Sequence, residues 1–429
     1  MNHVLFVTDT YYPDSSATTT LGRRTAEALA RLGYSVDVYP AEISGNHFQY
    51  LDEYNGVRII SPEAGPEMNY APVNPSETHT ITEKHLSELK KVLDAADYDY
   101  VFSVALAFEI HFLVHQVLTP VSEPVEPQPS TLNPQPSTLK WFPMSYDPYA
   151  FNPHITEDQK QEYIRQEVET LRDATKIFFL TEFSDDYIGS PIEDKIVYFN
   201  LPCIRPINPD RTKRVIEFDD SYINCVFLGD FYFGNENTDF IFRLFERVES
   251  QRSNVEGGDK IRFYTIGSVC DYRETVDLWQ EKLGDGYICH ERISQEEAHN
   301  AMLDCDVLVS MGHDSANMCP SKAIDFASSG KPILHIQKIE NCCAKKYLER
   351  YLDKYFIYQN DELTDERVKE VAEFILNAKG RKEIPFDTVR ELYSDFTMEA
   401  LIEKILKEFN DKDQQDDFAF LQQKRRNQL

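Results

Sequence analysis

Residues 306–336, DVLVSMGHDSANMCPSKAIDFASSGKPILHI, decide the fold of this 429-residue chain. The apolar run Val307–Ser310 predicts a buried strand, and the polar residues after it predict a loop. Pro320 suits the first turn of a helix, and Gly330 suits the position just past a helix end. A second apolar run, Ile333–Ile336, follows. A strand, a helix and a strand in this order predict one crossover unit of a parallel sheet.

The start of the predicted helix is a candidate anion site. The first N–H groups of a helix have no partner within it, so those of Ser321, Lys322 and Ala323 are available to a phosphate. Lys322 adds a positive charge. Asp325 lies one turn further along the same face, where it can accept hydrogen bonds from ribose hydroxyls. This spacing fits a nucleotide diphosphate, and a plain crossover helix capped by Ser321 is the alternative.

The same alternation of short apolar runs and helical patterns continues along the whole chain. It predicts an α/β fold with two doubly wound, parallel-sheet (Rossmann-like) domains that face a cleft. Ligands of such sheets bind beyond the carboxyl ends of the strands. The strands predicted outside the first stretch are Val4–Val7, Ser35–Tyr39, Val57–Ile60, Tyr100–Val104, Phe142–Tyr146, Ile177–Thr181, Ile196–Phe199, Asn224–Leu228 and Arg262–Ile266.

Segments rich in Pro or charge indicate the domain boundaries. We expect an N-terminal domain at 1–200, a linker at 201–214 (LPCIRPINPDRTKR) and a C-terminal domain at 215–395. A helix at 396–410 is expected to pack back toward the N-terminal domain. Residues 120–139 repeat PQPSTL and predict a solvated loop inserted in the N-terminal domain, and the polar tail 411–429 predicts disorder.

The charge of the chain excludes some partners. Lys and Arg number 44 against 73 Asp and Glu, which leaves a net charge of −29. Such a charge argues against general binding of nucleic acid and against electrostatic docking to an anionic membrane, so membrane contact is expected to be peripheral at most. The sequence contains neither a basic leader nor an apolar run long enough for a transmembrane segment. We therefore expect a cytoplasmic protein whose eight cysteines stay reduced.

Five stretches, in the expected order, resemble GT-B glycosyltransferases, and glycosyltransferase family 4 in particular. PSKAIDFASSGKPIL resembles the donor-binding segment of that family. The opening VLFVTDTYYPDSSATTTLGRRTAEALARLGYSVDVYP resembles its first strand, loop, helix and second strand. A third stretch resembles the start of the family's C-terminal domain, and it reads VFLGDFYFGNENTDFIFRLFERV followed by IRFYTIG. The two remaining stretches, RISQEEAHNAMLDCDVLVS and WFPMSYDPYAFN, resemble the helix and strand before the donor segment and the strand and loop on the acceptor side.

The resemblance implies a retaining, hexosyl-type transferase. It would move a sugar from a nucleotide diphosphate sugar, expected to be UDP-linked, to an acceptor hydroxyl, and it would need neither a cofactor nor a metal ion. The C-terminal domain would hold the donor and the N-terminal domain the acceptor. The expected acceptor is a saccharide or a lipid-linked saccharide, and the expected role is polysaccharide or glycoconjugate synthesis.

The resemblance also implies site residues. Ser321 and Lys322 match the phosphate-facing opening, where Lys322 would stabilise the leaving diphosphate, and Asp325 keeps the ribose role. The other expected donor-binding residues are Gly229, Asp230, Phe231, Ser268, Arg292, Ile293 and Asn317, with the backbone of Ile293 pairing with the base. The expected acceptor-side loop contains Tyr11, Ser16, Ala17 and Thr18.

Asp147 is the candidate general base. It follows the predicted strand Phe142–Tyr146, at the point where many family members carry a His. A carboxylate at the end of a strand can orient or deprotonate an acceptor hydroxyl. A turn before Pro148 is the alternative explanation for this Asp.

Three departures from the family pattern keep other functions open. Asn317 stands where the family often has a glutamate, and Asn235–Asn237 stand where many members carry an Arg and a Lys aimed at the diphosphate. Ser15–Ala17 replace a frequent pair of glycines. The alternatives are a non-hydrolysing UDP-sugar epimerase and a degenerate, non-catalytic nucleotide-sugar-binding protein. Cations that could substitute for the missing pair are Arg23, Arg24 and Arg292.

Overall fold

The structure of the chain is a computed structural model. It describes residues 2–14, 17–45, 47–63, 81–105, 108–119, 139–146, 149–150, 155–231, 238–252, 259–269, 272–313, 316 and 321–409. The chain divides into two compact units: the first contains Met1–Pro202 and the chain from Met398 onward, and the second contains Cys203–Thr397. The predicted inserted loop, apart from its last residue, and the predicted tail lie outside the described residues.

The first unit is built on one sheet. Its strands are β1 (His3–Thr8), β2 (Ser35–Pro40), β3 (Glu53–Tyr54), β4 (Val57–Ile59), β5 (Tyr100–Ala105), β6 (Lys140–Ser145), β7 (Ile177–Leu180) and β8 (Ile196–Phe199), and its helices include α1 (Ala17–Arg31), α2 (Glu83–Asp94), α3 (Glu109–Leu118) and α4 (Glu157–Leu171). The strand order is β3-β4-β2-β1-β5-β6-β7-β8. Only β3 and β4 pair antiparallel among these described strands.

The second unit contains a six-stranded parallel sheet. Its strands are β9 (Tyr222–Leu228), β10 (Lys260–Ile266), β11 (Tyr287–His290), β12 (Val307–Met311), β13 (Ile333–Gln337) and β14 (Lys354–Tyr358), and its helices are α5 (Thr238–Arg252), α6 (Arg273–Leu283), α7 (Gln295–Asp304), α8 (Ser321–Ala327), α9 (Cys343–Leu348), α10 (Asp365–Leu376) and α11 (Phe386–Leu392). The strand order β11-β10-β9-β12-β13-β14 reverses direction between β9 and β12. Such a reversal is the usual ligand-binding point of a doubly wound sheet.

The last described helix, α12 (Met398–Phe409), belongs to the first unit. Its final ring, that of Phe409, stacks on Tyr100 with 3.7 Å between ring centroids. Lys404 donates a hydrogen bond of 2.8 Å to the carbonyl of Tyr198. The chain therefore leaves the first unit at β8 and returns to it at α12.

The two Rossmann-like sheets confirm the predicted fold class. Every strand predicted from an apolar run is present, with ends that differ from the prediction by at most two residues. The sequence patterns missed β3, β11 and β14, and each of these is the outermost strand of its sheet. None of the helices within the described residues is long and apolar enough to cross a bilayer.

Aromatic packing fixes the strands that carry the candidate site. Phe245 on α5 stacks on Phe263 of β10 with 4.2 Å between centroids. Phe242, one turn earlier on the same helix, stacks on Trp279 of α6 at 5.8 Å. These rings are buried, and burying one such side chain stabilises a fold by about 1.5–3 kcal/mol. The carboxyl end of β10 is therefore anchored by the core beneath it.

Candidate functional site

The predicted donor-binding residues whose positions are described lie at the carboxyl ends of the strands of the second sheet. Parallel strands end at the same edge, so the loops after β9, β10, β11 and β12 come together there. Their places are Gly229, Asp230 and Phe231 after β9, Ser268 after β10, Arg292 and Ile293 after β11, and Ser321, Lys322 and Asp325 on α8 after β12.

Backbone contacts hold the loops after β9 and β10 together. The Gly229 N–H donates to the carbonyl of Ile266 at 3.0 Å, and the Phe231 N–H donates to the carbonyl of Ser268 at 2.9 Å. Gly267 lies between these two contacts with a φ of +152°, and a Cβ on it would lie 2.1 Å from the Gly229 carbonyl oxygen. Only glycine fits at this position.

Lys322 lies against the loop after β9. Its Nζ is 3.5 Å from the point that a Cβ on Gly229 would occupy, an ordinary contact distance, so the ammonium group lies beside the backbone of Gly229. Desolvation by surrounding protein atoms lowers the pKa of Lys322, and the charge of Arg292 lowers it further, against the opposing effects of Asp230 and Asp325. The side chain nevertheless stays exposed to solvent, where it can meet an anion.

Asp230 joins three of the loops. Its carboxylate accepts a 2.6 Å hydrogen bond from the Ser268 N–H and a second, charge-assisted one from Arg292. Burial alone would raise the pKa of the Asp230 carboxyl, but these bonds and the charges of Arg292 and Lys322 outweigh it and lower the pKa. Asp230 is therefore ionised at neutral pH.

Asp325, the predicted ribose ligand, has a cationic neighbour that the sequence did not indicate. The guanidinium of Arg205 lies 3.5 Å from the Asp325 Oδ1, and it also contacts His299 at 3.1 Å. Oδ1 is buried and accepts no hydrogen bond from the residues that the structure describes. Arg205 lies in the predicted linker, 120 residues before Asp325 by the numbering, and no sequence signal connects the two.

Three predicted donor residues, Phe231, Ile293 and Asn317, differ from the others in burial or in description. The ring of Phe231 is fully buried and stacks on Phe227 with 5.1 Å between centroids. The ring also packs against Tyr272, with 6.2 Å between centroids, and the expected donor contact of Phe231 stays a prediction. Ile293 directly precedes Ser294, which caps α7, and its side chain is half-buried. Asn317 lies outside the described residues.

The acceptor-side predictions are described only in part. Tyr11 is 1% exposed, and burial raises the pKa of its hydroxyl. Tyr11 lies in the loop between β1 and α1, and its expected acceptor-side role stays a prediction. Ala17 and Thr18 are the first two residues of α1, and nothing of their side chains is described. Ser16 and Asp147 lie outside the described residues.

Two buried acids at the ends of β1 and β2 were missed by the sequence patterns. Asp9 accepts a 2.9 Å hydrogen bond from the Ser44 N–H. Glu42 has a φ of +52°, which is rare for a residue with a side chain, and it accepts from His47 and from the Phe48 N–H at 3.0 Å. Strained backbone supported by such contacts often marks functional sites. No motif distinguishes these acids from others in the chain.

The fold has well-defined relatives among solved structures. A sucrose-phosphate synthase from Thermosynechococcus elongatus matches with a TM-score of 0.58 and 14% identity, over 100% of both chains. The HepE protein of Anabaena, solved with UDP-glucose, matches with a TM-score of 0.53 and 10% identity over 98% of this chain and 99% of that one. A Listeria monocytogenes protein assigned as a UDP-N-acetylglucosamine 2-epimerase matches with a TM-score of 0.50 and 11% identity over 96% and 98%.

These likenesses extend over nearly the full length of each chain, and they establish that the protein has the GT-B fold. The predicted resemblance to GT-B glycosyltransferases is thus confirmed at the level of the fold. No protein-family model matches the sequence, and no curated protein matches it.

Proposed function

We propose that the protein transfers a sugar from a nucleotide diphosphate sugar to an acceptor hydroxyl. The observation that carries the proposal is the position of Lys322, whose Nζ lies against the backbone of Gly229 at the switch point of the second sheet. There an ammonium group lies beside backbone that carries no side chain, and cations and backbone N–H groups are the groups that bind phosphates. Asp325, one turn along α8, supplies an acceptor for the ribose hydroxyls.

The proposed chemistry needs few protein groups. The bond from the anomeric carbon to the diphosphate oxygen breaks, its electrons stay on the diphosphate, and the acceptor oxygen forms the new bond with retention. Lys322 stabilises the charge that develops on the leaving diphosphate. Asp147 takes the acceptor proton. In this proposal Lys322 meets the charge of the diphosphate, and the reaction requires neither a metal ion nor a cofactor.

We propose UDP as the nucleotide and a cytoplasmic, polysaccharide- or glycoconjugate-forming role. The GT-B relative solved with UDP-glucose supports the choice of base. The six cysteines among the described residues are free, which supports a reducing compartment. A saccharide or lipid-linked saccharide is the proposed acceptor.

Two other functions compete with the transferase. The likeness to the protein assigned as an epimerase favours a UDP-sugar epimerase. The neutral Asn317 and the cation-poor segment Asn235–Asn237 favour a non-catalytic binding protein. An epimerase converts a UDP-sugar without an acceptor, whereas a transferase releases UDP and needs an acceptor or water, so product analysis separates the two.

The test begins with calorimetric titration of the purified protein with UDP, ADP and GDP, followed by incubation with a panel of UDP-sugars. We expect UDP to bind and a UDP-sugar to release UDP, and Lys322→Ala and Asp325→Ala to abolish the release. Lys369→Ala is the matched control, because this lysine is exposed and pairs only weakly, at 3.8 Å, with Glu373 of its own helix. Absence of nucleotide binding at millimolar concentration would refute both enzyme proposals.

A further inference from the structure

The loop after β9 brings a carboxylate, not a cation, to the proposed diphosphate site. Its described part ends in Gly229, Asp230 and Phe231, and the rest of the loop reads Tyr-Phe-Gly-Asn-Glu-Asn. Asp230 and the neighbouring Lys322 together have no net charge. A nucleotide diphosphate carries at least two negative charges, so this pair alone is a poor anion site.

A second cation reaches the same place from another strand. Arg292, in the loop between β11 and α7, forms a charge-assisted hydrogen bond with Asp230. The two partners differ strongly in exposure, since 8% of the Asp230 side chain and 69% of the Arg292 side chain are accessible. The carboxylate is thus the buried anchor, and the guanidinium is the part that faces solvent.

The anchor itself is fixed by the fold. The Asp230 Oδ1 accepts from the Ser268 N–H at 2.6 Å, and its Oδ2 accepts from Arg292. The absence of a side chain on Gly267 leaves room for this carboxylate, because a Cβ there would lie 3.0 Å from the Asp230 Oδ1. The charge of Arg292 is also close enough to Lys322 to lower the pKa of that ammonium. Two cations therefore lie near each other at the edge of the sheet.

We infer that Arg292 is the second diphosphate-binding cation of this protein and that Asp230 is a positioning residue that holds its guanidinium at the site. This inference rests on the proposed function and adds to it the source of the missing positive charge. With Arg292 the group has a net charge of +1, and without it the group is neutral. A guanidinium can also bind two phosphate oxygens at once, which an ammonium cannot do as well.

The rival explanation is a structural one, in which the ion pair only ties two loops together. An exposed arginine contributes little to stability in such a pair, so stability measurements alone cannot separate the explanations. The direction in which diphosphate affinity changes when Asp230 is neutralised does separate them. If Asp230 is merely a negative neighbour, its neutralisation should tighten diphosphate binding. If it positions Arg292, neutralisation should weaken it.

The test compares UDP with uridine by calorimetry in the wild type, Arg292→Gln, Arg292→Lys and Asp230→Asn. The Asn keeps an oxygen for the Ser268 N–H. We expect Arg292→Gln to weaken UDP about 10- to 100-fold, the usual effect of losing a charged hydrogen bond, and to leave uridine unchanged. Arg292→Lys should lose less affinity for UDP, and Asp230→Asn should also weaken UDP selectively.

Arg350→Gln serves as the control, because this arginine forms a comparable ion pair with Asp395 in the same unit, at 2.8 Å and 42% exposure. A wild type that binds neither ligand overturns the proposed function and this inference with it. A wild type that binds UDP while Arg292→Gln loses no selectivity for UDP over uridine overturns this inference alone. Tighter or unchanged UDP binding by Asp230→Asn overturns the positioning role.

Discussion

The carbonyl oxygen of Gly229 occupies the place where a side chain on Gly267 would begin: a Cβ built on Gly267 would lie 2.1 Å from it. The loops after β9 and β10 therefore touch through bare backbone. Because Gly229 also borders Lys322, and Asp230 follows it directly, this contact fixes the floor of the proposed donor site.

Gly267→Ala should therefore damage both stability and binding. The methyl group must push the Gly229 loop away, and the φ of +152° disfavours any side chain. We expect a loss of about 3 kcal/mol or more in the free energy of unfolding of the second unit, together with loss of nucleotide binding. Urea unfolding and calorimetry measure the two effects.

The control is Gly380→Ala, in the same unit. Gly380 has a φ of +70° but nothing within 4 Å of its would-be Cβ, so the substitution should cost about 1 kcal/mol of backbone strain and leave nucleotide binding intact. Equal losses from Gly267→Ala and Gly380→Ala would show that the loop contact does not matter.

The fold could be predicted wherever burial leaves a continuous apolar run, as in Val4–Val7. The missed strand Tyr287–His290 reads YICH, and three of its four residues are only half-buried at the sheet edge. An edge strand has one neighbour and partial cover, so its sequence can lack the apolar run of a central strand, although the edge strand β8 reads IVYF and was predicted. The other two missed strands, Glu53–Tyr54 and Lys354–Tyr358, are also edge strands.

The candidate site was predictable only where its residues are close in sequence. Ser321, Lys322 and Asp325 share one helix, so their spacing indicates a common face. The pairs Arg292–Asp230 and Arg205–Asp325 connect segments that only the folded sheet brings together. Spacing cannot indicate such pairs, because an arginine on a distant loop looks the same whether it faces solvent or a carboxylate.

Asp325→Asn should selectively remove recognition of the ribose hydroxyls. We expect it to weaken UDP about 10- to 100-fold, because a carboxylate accepts stronger hydrogen bonds from hydroxyls than an amide oxygen does. The wild type should bind UDP more tightly than 2′,3′-dideoxy-UDP, and the variant should bind both alike. Calorimetry with the two ligands gives this comparison directly. A variant that keeps the full preference for the ribose would place the hydroxyls elsewhere.

The titration of Glu167 should lower the free energy of unfolding of the first unit as pH rises. Glu167 is 1% exposed on α4, and burial, partly offset by the nearby Tyr187, raises the pKa of its carboxyl from 4.5 to about 8. Between these values the folded state keeps a proton that the unfolded state has lost. The free energy of unfolding should therefore fall by up to about 1.4 kcal/mol per pH unit from pH 5 to 8.

Glu167→Gln removes this titration while keeping nearly the same shape. We expect the free energy of unfolding of the variant to increase relative to that of the wild type steadily from pH 5 to 8. Above pH 8 the difference between the two proteins should stay constant. Urea unfolding at four pH values, followed by a probe of the first unit, measures it. Parallel curves for the two proteins would mean that Glu167 is ionised in the folded state at neutral pH.

Phe409 should be the residue through which α12 stabilises the first unit. Its ring is 2% exposed and stacks on Tyr100 at 3.7 Å, and it also lies 5.6 Å from the ring of Phe142 on β6. Phe409→Ala leaves a cavity beside the sheet and should cost about 3–5 kcal/mol in the free energy of unfolding.

We expect the two compact units to unfold in separate transitions, so the loss should appear in the transition of the first unit and leave the second unchanged. Leu352→Ala is the control: this side chain is 62% exposed in the second unit, so its truncation should change stability by about 0.5 kcal/mol at most. Unfolding followed by hydrogen exchange, resolved by segment, distinguishes the two transitions. If Phe409→Ala lowers protection in both units equally, α12 acts on the whole chain rather than on the sheet it touches.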